Sequence, residues 1–342
     1  MPLLPRPNRK PAGIFSAGLA LLSVALIGLN STGAAPDARA QDHSEEMEGE
    51  LVANLAAGRV VIAVARDGMV IASLENKIEP ATRVPPIVPL GSRRAGILLG
   101  AVDWSSPTAG PEPLVRLSAE LPQLRRASLP AGPHLQPGGN NEVTSEVEMV
   151  GLGLLERLRA IAGHLHGNLG IAAQEPIVEL ILASDDPDVG PEVWLIQYTI
   201  SQDPLRGDYW QTQVKRPSYH RLWPPEKGQP RTLVEVRYPP DDNAPPLQAM
   251  LSQSHGSLER IRSGDPALAA VASAIEKGET QKTSLSDATQ FLRTAFNALA
   301  SPNAGEAVAV INEKTGFEWI LEPPKEKEKK PRPPGAPTLE KP

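Results

Sequence analysis

Histidine, serine and aspartate clusters are the residues of this chain whose types could do chemistry. His164 and His166 offer two imidazoles for zinc, but residues two apart in a helix point to different faces, so the pair predicts histidines facing solvent or a helix end. Ser252, Ser254 and His255 lie too close together in sequence for the strand–turn–helix elbow of a serine hydrolase. The chain has no Gly-x-Ser-x-Gly, no phosphate-binding glycine loop and no cysteine. These patterns therefore predict no cofactor and no metal site.

Three carboxylates, Asp185, Asp186 and Asp188, stand close together between two apolar runs. Hard oxygen ligands at short spacing suit Ca²⁺, but this run lacks the regular spacing and the closing Glu of a calcium loop. We therefore predict a solvated turn over 184–190, and we interpret 241–243 in the same way.

Scarce aromatic residues are concentrated in one 30-residue window. They could form a surface for a ligand or partner, or the core of a strand region, and the second interpretation is the simpler one. The six residues are Trp194, Tyr198, Tyr209, Trp210, Tyr219 and Trp223.

The elements that must position such residues begin with a hairpin over 59–73. Two β-branched apolar runs flank Asp67-Gly68, and Asp-Gly between such runs is a strong hairpin signal because Gly accepts a positive φ. Both runs are almost continuously apolar, which predicts that both faces of the hairpin are covered.

Apolar periodicity predicts the remaining elements. Residues 80–91 read as an extended, proline-rich segment that makes a poor central strand. Helices are predicted over Glu50–Ala57, Pro113–Ala127, Val147–Leu165, Leu247–Ile261, Pro266–Ile275 and Ser286–Ala300, the last with Ser286 as its N-cap. Strands are predicted over Ala95–Val102, Pro176–Ala183, Glu192–Ile200, Gly207–Val214, Thr232–Tyr238, Ala307–Ile311 and Phe317–Leu321. This order predicts a layered α+β domain with two sheets between helical layers.

The first 40 residues have the order of a secretory signal peptide. A basic region precedes an apolar run of 18 residues over 12–29, and a small-x-small site ends at Ala40. We expect cleavage after Ala40 and a periplasmic or secreted protein, although the run would be long enough to stay as a membrane anchor. Without 1–40, 30 of the 34 basic and 39 of the 40 acidic side chains remain. A net charge near −9 argues against nucleic acid or an anionic membrane as the main partner.

Several strings, in their order, resemble the proteasome-subunit branch of the Ntn hydrolases. Gly58–Ser73 looks like that family's opening hairpin, and Ala95–Trp104 is similar to its small-residue strand ending in Asp. Ile177–Ile200 looks like the next hairpin, and Ser284–Leu321 like the last helix and closing strands. The resemblance implies a four-layer α/β/β/α sandwich of antiparallel sheets over 41–322. Residues 206–282 fit poorly and are predicted to be an insertion or divergent region, and 323–342 a disordered Pro/Lys/Glu-rich tail.

The departures from the family concern its catalytic residues. Catalytic members use an N-terminal Thr at the start of the first strand, supported by a Lys and an Asp. The matching positions here are Gly58, Arg83 and the neighbourhood of Glu75. Gly58 has no side chain to react, and Arg83 stays charged and cannot act as a tunable amine. The segment 48–57 instead resembles the helical lead-in of the family's non-catalytic subunits.

These residues together predict a non-catalytic relative with a degenerate site at Gly58, Glu75 and Arg83. It would act by assembly or binding, with copies of itself or another protein as partner. Two alternatives stay open: an active hydrolase with a different nucleophile, such as Ser73, Thr82 or a hydroxyl in the insertion, and a periplasmic binding or scaffold protein of unrelated α+β fold.

Overall fold

The computed structural model describes residues 52–76, 82–105, 115–124, 143–163, 175–204, 210–225, 232–240, 246–247, 250, 264–300 and 304–323. Within these ranges the chain forms two antiparallel sheets and four α-helices, which confirms the prediction of an α+β fold with two antiparallel sheets. The helices are Leu117–Leu124 (α1), Ser145–Ala162 (α2), Pro266–Glu276 (α3) and Leu285–Leu299 (α4).

The first sheet is built around the long strand Arg94–Ser105 (β5) and the hairpin of Pro176–Asp186 (β7) and Gly190–Pro204 (β8). Its other strands are Val52–Ala56 (β1), Ile87–Gly91 (β4), Val115–Arg116 (β6), Trp210–Val214 (β9) and Ser218–Trp223 (β10). The second sheet has the spatial order Leu233–Tyr238 (β11), Gly58–Ala65 (β2), Gly68–Glu75 (β3), Glu306–Asn312 (β12) and Gly316–Leu321 (β13).

Three apolar clusters hold these elements together. One lies between the two sheets and joins alternate residues of β2, such as Ile62, to Ile97 of β5. The second packs α1 and α2 on the outer face of the first sheet, and the third packs α3 and α4 on the outer face of the second sheet. Alternate residues of β2 therefore face the other sheet and the helices, which explains why its sequence is apolar throughout.

The predicted hairpin is confirmed, with a shift of one residue at its turn. β2 and β3 pair from Gly58 opposite Glu75 to Ala65 opposite Gly68, so Arg66 and Asp67 are the turn's central residues. Gly68 begins β3 with φ +148°, and a Cβ there would lie 2.3 Å from the carbonyl oxygen of Ile311 on β12. Only glycine fits this conformation and this close approach.

The longest helix, α2, is also confirmed. Thr144 caps its N-terminus by accepting a hydrogen bond from the Val147 amide at 3.4 Å. Leu154 and Leu158 bury the predicted apolar face against the first sheet. The last helix, α4, begins two residues earlier than predicted, with Ser284 rather than Ser286 as its N-cap.

The helix predicted over Glu50–Ala57 is wrong, because Val52–Ala56 is a strand. β1 pairs along β5 from Val52 opposite Ser105 to Ala56 opposite Gly100. An eight-residue helix has little stability of its own, so pairing with a long strand determines the structure here. The resemblance of 48–57 to a helical lead-in therefore does not hold for 52–56.

The described parts of 206–282 belong to the same two sheets and helical layers. β9 and β10 extend the first sheet, and β11 pairs with β2 in the second, so the strand predicted over Thr232–Tyr238 is confirmed. Strand β10 was not predicted.

Most of 247–261, the N-terminal residues 1–51 and the tail from 324 lie outside the described residues. None of the helices described is long and apolar enough to cross a membrane.

Candidate functional site

The chain crosses from the first sheet to the second at Ala57, between β1 and β2. On the second sheet Gly58 lies opposite Glu75 on one side and opposite Tyr238 on the other. On the first sheet Ala56 forms an isolated bridge with Arg83. The structure thus brings Gly58, Glu75 and Arg83, the three residues predicted from the sequence, to one crossing. We call this crossing, formed by 56–58, 74–75 and 83–85, the Gly58 junction.

Gly58 has no room for a side chain. A Cβ built there would lie 2.1 Å from the carbonyl oxygen of Leu74 and 3.1 Å from Cδ of Pro85. Because the nearest atom belongs to the backbone of the paired strand, a Thr or Ser at this position would require the two strands to move apart. The junction therefore lacks both a nucleophile and the space for one.

Glu75 is bound to the segment that leads into β12. Its amide donates to the carbonyl oxygen of Gly305 at 2.9 Å, and its Oε2 accepts from the Gly305 amide at 2.8 Å. This reciprocal pair fixes the start of β12 beside the end of β3. The carboxylate thus performs a structural task, and it does not point to a general base.

Arg83 is engaged with the first sheet. Its Nη1 lies 2.7 Å from Oδ2 of Asp103 on β5, and its amide donates to the carbonyl oxygen of Leu55 at 3.1 Å. The Asp103 side chain is only 4% exposed, so this ion pair is largely shielded from water. The family resemblance implied a supporting carboxylate near Glu75, whereas in the structure Arg83 pairs with Asp103.

The side-chain hydroxyls of Ser73 and Thr82, two of the alternative nucleophiles, each donate a hydrogen bond to a backbone carbonyl oxygen. Ser73 is fully buried, and its hydroxyl donates to the carbonyl oxygen of Pro85 at 2.9 Å. A carbonyl oxygen cannot act as the general base that an attacking hydroxyl needs. The Thr82 hydroxyl donates to the carbonyl oxygen of Asn76 at 3.4 Å.

Two polar residues beside the junction, Glu179 and Tyr238, were missed by the sequence analysis. Glu179 of β7 is 2% exposed, and its Oε1 accepts from Nε2 of Gln197 at 2.7 Å. Burial raises the pKa of Glu179, and the hydrogen bond from Gln197 offsets part of the rise. A charged residue inside the apolar run Ile177–Ala183 was the signal that could have marked it.

Tyr238 packs against the apolar cluster that lies between the two sheets. Its Cζ lies 3.2 Å from the position that a Cβ on Gly100 would take, and Gly100 itself has φ +90°. Burial raises the pKa of Tyr238 to about 12, with further contributions from the negative charges of Glu179 and Glu175. Tyr238 therefore keeps its proton at neutral pH and can donate a hydrogen bond there.

The acidic run is a turn only at its end. Asp185 and Asp186 are the last residues of β7 and Asp185 is buried, so only 187–189 of the solvated turn predicted over 184–190 lies between the strands. Asp185 pairs with Arg93 at 2.7 Å, and Oδ1 of Asp186 accepts from the amides of Asp188 at 2.9 Å and Val189 at 3.3 Å. The bond from the Asp188 amide is the main cause that lowers the pKa of Asp186.

Among the residues described, no group of His, Asp or Glu side chains is arranged to hold a metal ion. The other polar candidates, His164, His166, 241–243, Ser252, Ser254 and His255, lie outside the described residues.

Part of the aromatic window belongs to the core. Trp194 and Tyr198 are buried beneath α2, and the Tyr198 hydroxyl donates to the carbonyl oxygen of Gly151 at 2.9 Å. Tyr219 contacts α2 at the same glycine, where a Cβ would lie 2.5 Å from its hydroxyl oxygen. These contacts support the core interpretation for the three residues.

No known protein-family model matches this chain, and no curated protein matches it. Its function therefore has to be inferred from its own residues.

Proposed function

We propose that this chain is an exported, non-catalytic relative of the proteasome-subunit branch of the Ntn hydrolases, and that it acts by binding or assembly. The proposal rests on two facing antiparallel sheets, a helical layer on each outer face, and a hairpin that opens the second sheet. In this proposal the fold is the family's four-layer α/β/β/α sandwich.

The closed backbone at Gly58 is the observation that carries the proposal. A catalytic member would be cut before its first strand, so that a new N-terminal residue could attack the substrate. Here Val52–Ala56 precedes that position and pairs with β5 over its whole length. A cut at Gly58 would separate β1 from β2 and would expose a glycine amine with no nucleophile.

Partners of this protein would be copies of itself or another protein, and a ring is the assembly that the resemblance implies. The acidic balance of the chain argues against nucleic acid. In this proposal residues 1–40 are a cleaved secretory signal, so the mature chain would lie in the periplasm or outside the cell, unless residues 12–29 are kept as an anchor.

A hydroxyl-reactive probe tests the absence of a catalytic nucleophile. Purified mature chain would be incubated with a fluorophosphonate and separately with a β-lactone, beside an active serine hydrolase as positive control. We expect the control to be labelled stoichiometrically and this chain to keep its unmodified mass. Stoichiometric labelling at one site would overturn the proposal, and peptide mapping would name the residue.

Light scattering coupled to size-exclusion chromatography tests the assembly part. A mass of several chains that does not depend on dilution would support assembly with itself. A stable monomer would remove the ring and leave binding to another partner.

A further inference from the structure

A cavity of about 160 Å³ lies between the first sheet and the N-terminal turns of α2. Two neighbouring cross-strand pairs of β7 and β8 form its floor: Ser184 opposite Glu192, and Leu182 opposite Trp194. Val150 of α2 forms part of the opposite wall. We call this space the α2 cavity. It is separate from the Gly58 junction and shares no residue with it.

The charge of the α2 cavity is negative. Three carboxylates line it, against one guanidinium. That guanidinium, on Arg94, is already paired with Glu146 and lies 3.6 Å from Asp186. Glu192, on the floor, has no ion pair within the described part of the chain, and Ser184 beside it makes no side-chain hydrogen bond there. The cavity thus holds one carboxylate without an ion pair among the described residues, and the guanidinium carbon of Arg221 lies 6.0 Å from the centre of the Trp194 ring beside it.

The remaining lining is apolar and sets the size of a ligand. Leu90, Val147, Val150 and Leu182 supply aliphatic surface, and Trp194 adds the face or edge of its ring. An engineered apolar cavity of about 150 Å³ admits benzene, so this volume suits a group of about five or six heavy atoms. The side chains of Glu146 and Asp186 are 36% and 32% exposed, so the cavity opens to solvent past them.

We propose that the α2 cavity binds an alkylammonium group, as carried by a lysine side chain or a free aliphatic amine. The ammonium pairs with the Glu192 carboxylate and donates to the Ser184 hydroxyl, while the alkyl stem lies against Leu182 and Val150. A carboxylate or phosphate ligand is disfavoured because it would face three negative charges. This proposal does not depend on the function proposed above.

The test is a titration of the full mature chain followed by calorimetry and by heteronuclear NMR. The probes are n-butylammonium, the neutral 1-butanol of matched chain length, and Nα-acetyl-lysine amide. We expect saturable binding of both amines at about millimolar concentration, which is reasonable for so few heavy atoms, and no binding of 1-butanol. Tighter binding of the lysine amide would identify a peptide as the source, and equal binding would identify a free amine.

Two variants locate the interaction. Glu192→Gln removes the carboxylate charge and should weaken both amines by about tenfold or more, as expected for a hydrogen bond to a charged group. Glu156→Gln makes the same change on the exposed face of α2, outside the cavity lining, and should leave binding unchanged. Equal binding by wild type and Glu192→Gln, equal binding of 1-butanol, or no saturation by wild type would each overturn the proposal.

Discussion

The Gly58 junction and the α2 cavity differ in how their polar groups are used. At the junction, Glu75 and Arg83 are bound to neighbouring segments and the backbone leaves no space at Gly58. At the cavity, Glu192 faces open space and lacks an ion pair among the residues described. The resemblance inferred from the sequence thus points to a place where the side chains do not support a nucleophilic attack. The Glu192 carboxylate beside the open α2 cavity indicates instead a place where a ligand fits.

The largest expected effect is at the ion pair of the junction. Arg83→Met would remove the guanidinium that lies 2.7 Å from the nearly buried Asp103 carboxylate, so we expect a loss of about 3 kcal/mol in the free energy of unfolding. Urea denaturation measures it, with Arg66→Met as a control on an exposed arginine that should stay within about 0.5 kcal/mol. A loss as small as that of the control would show that the junction does not depend on this pair.

A smaller loss is expected from Gly58→Ala. The added methyl overlaps the Leu74 carbonyl and forces β2 and β3 apart, which should reduce stability by about 1–3 kcal/mol. Gly264→Ala is the matched control, because nothing lies within 4 Å of its added carbon. If both variants unfold at the wild-type urea concentration, the junction is open enough for a side chain, and the main argument against a nucleophile fails.

The burial of Glu179 predicts a pH dependence of the stability of the folded chain. Burial raises its pKa in the folded chain above the ordinary value of 4.5, so the folded state binds this proton more tightly than the unfolded state. Its stabilising effect is complete below the ordinary pKa and is lost as the pH rises through the folded-state pKa. The stability of wild type relative to Glu179→Gln should therefore fall as the pH rises above the ordinary pKa of 4.5 and through the raised folded-state pKa. A constant difference across that range would contradict the burial of an ionisable Glu179.

The smallest effect is expected in the α2 cavity. Glu192→Gln removes a carboxylate that has no ion pair in the described structure, so unfolding should change by less than about 0.5 kcal/mol. Chemical denaturation at neutral pH is the measurement. A loss above about 1 kcal/mol would mean that Glu192 stabilises the fold, as Arg83 does, and the contrast between the two regions would disappear.

Much of the fold could be predicted from local patterns. The apolar runs on both sides of Asp67 predicted the β2–β3 hairpin, and the leucines at helical spacing predicted α2. Strand β1 was predicted incorrectly, because its conformation depends on the open edge of β5 rather than on its own sequence. Strand β10 was missed for the same reason, since pairing with β8 determines it.

The candidate site was predictable only in part. The absence of a side chain at Gly58 is visible in the sequence, but the approach of Leu74 and Pro85 that closes the position requires the paired strands. The ion pair of Arg83 with Asp103 and the proximity of Glu179 to Tyr238 each join strands that are distant in sequence. No local pattern records such a contact, so these partners could be found only in the structure.

Intact-mass spectrometry of the chain purified from the cells or medium of its natural source tests the central claim most directly. We predict a single mature species that begins at Gln41 and still contains residues 52–57, because β1 and β2 form one uncut segment through Gly58. A mature chain that begins at Gly58 would contradict it, since maturation would then have removed the strand that holds the junction closed.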